Sequence, residues 1–449
     1  MTRRGRYTTD ALISSADLPF TKGAIVTLPA RCADPIVQAE WLRHLADPAV
    51  PKLLDLFCGA GGMSAGFVSA GFTVAAACDH DGQACKTFAA NIPARVLATD
   101  IAEIPDPARM LDDLPVSQID VIIGGPPCQG FSQVGRGRIR SLADSDQIPL
   151  LARNELYQQF FRFIETFQPA FFVMENVPAL KTFASGAYMD AITRESARLG
   201  YDLESAILDA ADYGVPQIRR RLFIVGSRVG GLFHWPRVGH DRDRVPLAAA
   251  IGDLPSALPP QLEECLPYDL EQPLSPYQHL MRSFVPVADR AVIYDHVIRP
   301  VREDDREIFT RMQPGDRYID IDERYRRYNA ASFQDKYYML RPDAPGVTIT
   351  AHLYKDGYRY IHWDTAQHRT ISVREAARIQ SFRDDFRFTG SRSSRFRQIG
   401  NAVPPLLAEH MAAQIRRALR RTSGALPGDI LQPPLPGMDI RAQLINSHP

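Results

Sequence analysis

No apolar run in these 449 residues approaches the roughly 20 that a spanning helix needs, and the opening MTRRGRY leads into polar sequence rather than an apolar signal region. The expectation is a soluble, cytoplasmic protein with no membrane partner. Cysteine is scarce: Cys32, Cys58, Cys78, Cys85, Cys128 and Cys265 include no C-x-x-C pair. Neither a zinc site nor a disulfide framework is indicated, no metal is expected, and free thiols fit a reducing compartment. Net charge is absent as well, with 52 Lys+Arg against 52 Asp+Glu. A polyanionic partner must therefore be argued from local clusters. There is no internal repeat. The G-x-G-x-x-G spacing of dinucleotide binders is also missing, which points to a cofactor without a pyrophosphate.

What is present is an α/β pattern, and 45% hydrophobic content suffices for a full core and a second lobe. Ile119, Val121, Ile122 and Ile123 form an apolar run that ends in Gly124-Gly125, the mark of a buried parallel strand stopping at an open edge. Pro126 and Pro127 then hold Cys128 stiffly where open sheets place their ligands. A lone loop cysteine is as often inert as reactive, so its partners decide the reading. Residues 52–57 read as a strand, Cys58-Gly59-Ala60-Gly61-Gly62 as a turn, and 63–70 as a helix. The next two strands end at Asp79 and Asp100, a repetition that suits one nucleoside pocket. The alternative is glycines serving only tight helix-to-sheet packing.

Further along, the long polar loop 133–154 carries Gly135, Arg136, Gly137, Arg138 and Arg140 beside Cys128, suited to a mobile, phosphate-binding lid. A strand near 170–174 delivers Glu175-Asn176-Val177-Pro178 to the same edge. Arg219-Arg220-Arg221 opens another strand, with Arg219 and Arg221 on one face and Arg220 on the other. From about 227 to 341, prolines, tyrosines and arginines intermix, with Tyr325, Tyr328, Tyr337 and Tyr338 serving either phosphates and bases or a small core. Residues 347–351 and 358–362 read as a hairpin around Lys355-Asp356-Gly357, and Ser372 with Glu375 as a capping box. Arg387, Arg392, Arg395 and Arg397 form a second basic cluster. Gln398-Ile399-Gly400-Asn401-Ala402-Val403-Pro404-Pro405 follows, then a helix over 406–419 with one apolar face for the first domain.

Taken in order, DLFCGAGG, GGPPCQGFS, ENV, QIRRR and QIGNAVPP resemble the C5 DNA-cytosine methyltransferase family of bacterial modification methylases. The resemblance implies an α/β, Rossmann-like S-adenosylmethionine-dependent methyltransferase sheet with a second, smaller, β-rich target-recognition domain. It divides the chain into a 1–50 extension, a 51–228 catalytic and cofactor-binding domain, a 229–390 target-recognition domain, a returning segment 391–422 and a flexible tail 423–449. It assigns S-adenosyl-L-methionine to Phe57, Gly59, Gly61, Asp79, Asp100, Pro126, Asn401 and Val403. It makes Cys128 the nucleophile, Glu175 the base-binding acid, and Arg219 and Arg221 the arginines that hold the cytosine. Ser132, Arg136, Arg138 and Arg140 fall to DNA contacts. The implied partner is double-stranded DNA, read by a monomer; the resemblance also allows a cognate restriction endonuclease in the same system, without direct contact.

Trp363 and Arg383 stand where family members commonly have proline, which bears on the joining lobe rather than the chemistry. Two other readings stay open. A transfer-RNA cytosine methyltransferase shares these motifs but carries Cys-Phe-Thr in its smaller lobe, and this chain has none. A DNA-binding regulator without catalysis would not need Cys128, Glu175, Arg219, Arg221 and Asn401 together.

Overall fold

Strands that are apolar on both faces belong in the middle of a sheet. The computed structural model describes residues 25–26, 34–127, 156–230, 233–237, 244–258, 264–326 and 337–422. Among them β1 (Ile25–Val26), β2 (Lys52–Leu56), β3 (Thr73–Asp79), β4 (Arg95–Ala98), β5 (Val121–Gly124), β6 (Phe171–Asn176), β7 (Asp202–Asp209) and β8 (Arg220–Ser227) form one sheet in the order β1-β4-β3-β2-β5-β6-β8-β7. The central strands β4, β3, β2, β5 and β6 are parallel, and β1, β7 and β8 pair antiparallel at the margins. The winding reverses between β2 and β5, where Leu56 lies beside Gly124. Such a switch point opens a crevice at the carboxyl ends of the strands.

Alternate residues of each strand feed two cores. On one face α2 (Gly62–Ser69) and α3 (Gly82–Asn91) bury Phe67 and Phe88 against Leu53, Val121, Ile123 and Val173. On the other, α1 (Pro35–Ala46), α4 (Leu156–Phe167) and α5 (Ala187–Arg198) bury Trp41, Phe160, Phe161 and Ile192 against Leu54, Ile122 and Phe172.

The remaining described residues hold α6 (Leu247–Ile251), α7 (Pro276–Arg282), α8 (Glu303–Arg311), α9 (Val373–Ile379) and α10 (Arg392–Asn401). The β content expected there amounts, among the described residues, to the short antiparallel pair β9 (Cys265–Pro267) and β10 (Val292–Tyr294) and isolated bridges. The hairpin expected over 347–362 is not formed: 3-10 turns occupy Ala351–Tyr354 and Tyr358–Tyr360. Ile349, Leu353, Tyr360 and Ile361 are buried, but the backbone groups of Ile349 that a ladder would use are taken by side chains. Its N–H donates to Gln217 Oε1 at 2.8 Å and its carbonyl accepts from Arg219 Nη1 at 2.6 Å.

The capping box at Ser372 is present, and Glu375 does more than cap. It forms a two-pronged pair with Arg369 at 2.7 and 2.8 Å, both side chains being about 1% exposed. Trp363 stacks on His362 at 4.4 Å, and Arg383 lies 3.9 Å from the Phe284 ring centroid, so both departures from proline are absorbed by flat contacts. The last helix, α11 (Pro405–Thr422), returns to the sheet, placing Leu407, Met411 and Ile415 in the core against α2. A Cβ on Gly66 would come within 2.4 Å of the Pro405 carbonyl oxygen, so only glycine admits this approach.

Burial opposes the Glu375 carboxylate, yet Arg369 and His362 hold it below its ordinary value of 4.5. A depressed carboxyl contributes stability that is complete above its unfolded pKa and fades as pH falls through the folded one. Glu375→Gln, which strands the Arg369 charge, should lower the unfolding free energy at neutral pH by about 3–5 kcal/mol. In urea titrations from neutral to strongly acid pH, that difference should shrink once the medium drops below the ordinary carboxyl range.

Candidate active site at the carboxyl edge of the sheet

Where β2 ends, the chain turns through conformations that side chains rarely adopt: Phe57 has φ 62°, Gly59 54° and Gly61 91°. The turn is pinned by β3, because Cys58 N–H donates to Cys78 O at 3.0 Å and Gly59 N–H to Asp79 Oδ2 at 2.8 Å. A Cβ on Gly59 would meet nothing within 4 Å, so its outer side is open, whereas one on Gly61 would strike Phe88 at 2.8 Å. No side chain caps the N-terminus of α2 at Gly61. Beneath the turn lies Asp55, 1% exposed, accepting from Ser64 Oγ at 2.6 Å. Burial pushes its carboxyl up to about 8 against the Ser64 bond, so it is largely protonated at neutral pH.

Asp79 accepts Asp81 N–H at Oδ1 as well as Gly59 N–H at Oδ2. Each carboxylate oxygen has a second lone pair, so capacity for ligand hydroxyls remains. His80, exposed beside it, reaches Asp79 Oδ1 at 3.3 Å and was not singled out by the sequence. Asp100, exposed, caps the turn Ile101–Glu103 through Ala102 N–H. From the far end of the chain, the Val403 carbonyl lies where a Cβ of Gly62 would sit, and Asn401 ends α10 exposed. Pro126 is buried, its carbonyl taking Asn176 Nδ2 at 3.1 Å. Free N–H groups at the uncapped helix start suit a ligand carboxylate, open space over Gly59 leaves room for its body, and carboxylates ending adjacent strands suit ribose hydroxyls. The residues therefore fit the expected S-adenosylmethionine.

Across the switch point, β6 presents Glu175 and its antiparallel neighbour β8 presents Arg221, whose Nε lies 3.0 Å from Glu175 Oε1. A Cβ on Gly125 would stand 3.3 Å from Glu175 Oε2, so that glycine keeps the carboxyl's approach clear. Burial raises the Glu175 pKa, and Arg221 and Arg219 oppose the rise. The result is a carboxyl that holds a proton more readily than usual while keeping a cation beside it.

The expected alternation of the arginines holds, with Arg220 exposed and its neighbours turned inward. Arg219, however, is not arranged to hold a base. It is 2% exposed, and its guanidinium donates to Ile349 O at 2.6 Å, Gly400 O at 3.1 Å and Ala402 O at 2.9 Å. No carboxylate shares these bonds, and burial together with Arg221 lowers its pKa. Arg219 thus positions the 400–402 backbone. Gln217 and Gln380 assist: Gln217 Nε2 donates to Ile379 O, and Gln380 Nε2 donates to Ile399 O and Ala402 O. The sequence marked neither, because a glutamine serving backbone carbonyls has no periodic or motif signature of its own.

The second basic cluster is likewise committed internally. Arg395 pairs with Glu264 and Asp295, Arg397 with Asp81, and Arg387 lies 3.4 Å from the Tyr294 ring centroid. Tyr337 is core, donating to Asp305 Oδ1 at 2.7 Å. Cys128, Ser132, Arg136, Arg138 and Arg140 lie outside the described residues, as do Tyr328 and the tail 423–449.

If Arg219 positions backbone, Arg219→Gln should lower the unfolding free energy by about 1–3 kcal/mol through unpaired buried carbonyls. The exposed neighbour variant Arg220→Gln should stay within about 0.5 kcal/mol of the parent in the same denaturant titration.

The family described as C-5 cytosine-specific DNA methylase matches residues 51–417. The Type II methyltransferase M.AgeI of Thalassovita gelatinovora is 34% identical over 446 residues, spanning 82% of this chain and 100% of that protein. M1.HphI of Haemophilus parahaemolyticus is 34% identical over 363 residues, spanning 81% of this chain and 86% of its own. Among solved structures, a DNA modification methyltransferase encoded within an E. coli prophage superposes with a TM-score of 0.65 at 26% identity, covering 82% of this chain and 99% of that one. The mostly parallel sheet with its ligand crevice at the β2–β5 reversal is the Rossmann-like methyltransferase fold, and the chain belongs to the C-5 cytosine-specific DNA methylase family.

Proposed function

We propose that this enzyme methylates C5 of a cytosine flipped out of a specific sequence in double-stranded DNA, through a covalent bond from Cys128 to C6 of the base. The observation that carries the reading is the partly buried Glu175–Arg221 pair at the switch point, beside the Gly125-Pro126-Pro127 segment that leads into Cys128. C5 of cytosine is too weak a nucleophile to be alkylated unaided. The Cys128 thiolate adds to C6, and the C5–C6 π electrons become available at C5. Glu175, whose carboxyl burial biases towards its protonated form, donates at N3 as negative charge builds on the ring. Arg221 keeps Glu175 oriented and supplies positive charge beside the base. S-adenosylmethionine, when bound, supplies the electrophilic methyl group. A water molecule then takes the C5 proton, the C5–H electrons re-form the C5–C6 double bond as Cys128 leaves as thiolate, and N3 returns its proton to Glu175.

In this reading Phe57, Gly59, Gly61, Pro126 and Val403 shape the cofactor pocket, Asp79 accepts the ribose hydroxyls, and Asp100 and Asn401 border the nucleoside. Arg219 is a positioning residue, not a base contact. The loop 133–154 closes over the flipped cytosine, with Ser132, Arg136, Arg138 and Arg140 on DNA, since a base inside a duplex must leave the stack to be alkylated. The division into an extension 1–50, catalytic domain 51–228, target-recognition domain 229–390, returning segment 391–422 and tail 423–449 belongs to the same proposal. So do a monomeric state, cytoplasmic residence and a restriction-modification setting in which the endonuclease makes no direct contact. No helix among the described residues is long and apolar enough to cross a membrane.

DNA carrying 5-fluorocytosine cannot release the C5 substituent, so with S-adenosylmethionine it should leave an adduct that survives denaturing electrophoresis. Cys128→Ala should abolish the adduct and Glu175→Gln should slow its formation. Undiminished methylation by Cys128→Ala would remove the thiol from the mechanism.

Asp79 serves both the turn and the ligand. Losing a charge-assisted hydrogen bond removes about 1.5–3 kcal/mol, so Asp79→Ala should weaken S-adenosylmethionine binding roughly ten- to a hundredfold in calorimetry. DNA affinity without cofactor should not change.

A further inference from the structure

The two helices α2 and α11 run side by side away from the catalytic edge: Gly62 faces Val403 at that edge, and Gly71, just before β3 begins, faces Arg416. Arg417 lies twelve residues beyond Pro405 in α11, about 18 Å along the helix at 1.5 Å per residue. Here, at the opposite end of the sheet from Glu175, lies a cavity of about 400 Å³ lined by His234, Trp235, Arg237, Gln414, Arg417 and Arg421. No carboxylate is in that lining, and no ion pair to the three arginines occurs among the described residues.

Arginines in a last helical turn complement the helix dipole, which accounts for Arg420 and Arg421. It does not account for Arg417, a turn earlier, nor for Arg237, which another segment brings to the same cavity. That segment is held in place. Phe233 is buried and meets the Trp235 ring edge-on at 5.1 Å, and Tyr213 donates its hydroxyl to Pro236 O at 3.2 Å. Arg237, Arg417 and Arg421, all exposed, line one cavity whose lining holds no acid, and guanidinium forks match phosphate. The Trp235 indole is partly buried against the core, and the part of it that lines the cavity offers an apolar surface for a nucleobase. The volume lies in the range of small-molecule sites.

We propose that this cavity binds a nucleotide unit, with its phosphate on Arg237, Arg417 and Arg421 and its base against Trp235. The unit comes either from a free nucleotide or from a nucleic-acid strand passing the far side of the enzyme. Thymidine 5′-monophosphate is a suitable probe, because it is neither the cytosine nor the adenosine expected at the catalytic edge. Calorimetry with the full chain should show it binding, with inorganic phosphate competing and thymidine failing to bind. Arg417→Gln/Arg421→Gln should weaken binding at least about tenfold while leaving methyl transfer to DNA unchanged. Trp235→Phe should remove the fluorescence change on binding. A short oligo-deoxythymidine that binds much more tightly than the mononucleotide assigns the site to a strand, and equal affinity assigns it to the free nucleotide. No binding of thymidine 5′-monophosphate, or equal binding by the parent and the double-arginine variant, overturns the proposal.

Discussion

A guanidinium buried without a carboxylate is the constraint on which the two halves of the site depend. Arg219 carries a charge that burial penalises; its hydrogen bonds go to three carbonyl dipoles, with Nε left unpaired, and Glu175 attracts it without forming an ion pair. A charge so placed is tolerable only if those oxygens converge on it, which fixes their backbones relative to β8. The carbonyls come from residues 349, 400 and 402, and β8 also carries Arg221. The geometry of the base-side pair and that of the cofactor-side loop are therefore set by one side chain. Gln217 and Gln380 complete the arrangement by saturating neighbouring backbone groups, so this polar seam can lie inside the protein.

Around that seam, carboxyl groups are sorted by environment. Asp55 is driven towards its neutral form by burial and braces the turn through Ser64 without placing charge under a cationic ligand. Glu175 is also pushed up by burial, but a guanidinium 3.0 Å away tempers the effect, so its carboxyl holds a proton more readily than an ordinary one while staying paired. Asp79, near the surface and bonded to two backbone N–H groups, joins the fold of the turn to the chemistry of its occupant. Three acids within a few strands thus have different work.

The parts of this architecture that were legible in the sequence are those governed by local rules. Helix 156–167, strand 202–209 and the Ser372 capping box follow from periodicity and capping chemistry within a dozen residues. The position of Glu175 near the end of β6 was marked by the apolar run that precedes it. What was illegible depended on partners far away in the chain. The basic run 387–397 resembles a phosphate-binding surface until Asp81, 316 residues from Arg397, and Asp295 and Glu264 are folded against it. The 347–362 hairpin failed for the same reason, since Arg219 and Gln217, 130 and 132 residues away, occupy its backbone groups. Periodicity records which residues are buried, and it is silent on which atoms claim their peptide groups.

The contact of Gly62 and Gly66 with Val403 and Pro405 joins α2 to α11, the last described helix. During synthesis the ribosome therefore delivers the glycine turn, the Cys128 segment and Glu175 long before the chain that completes the pocket emerges. A nascent polypeptide stalled before residue 400 holds the β2 turn and β6 but lacks the segment that packs on α2. That side of the turn is therefore closed only after every strand of the sheet has been made.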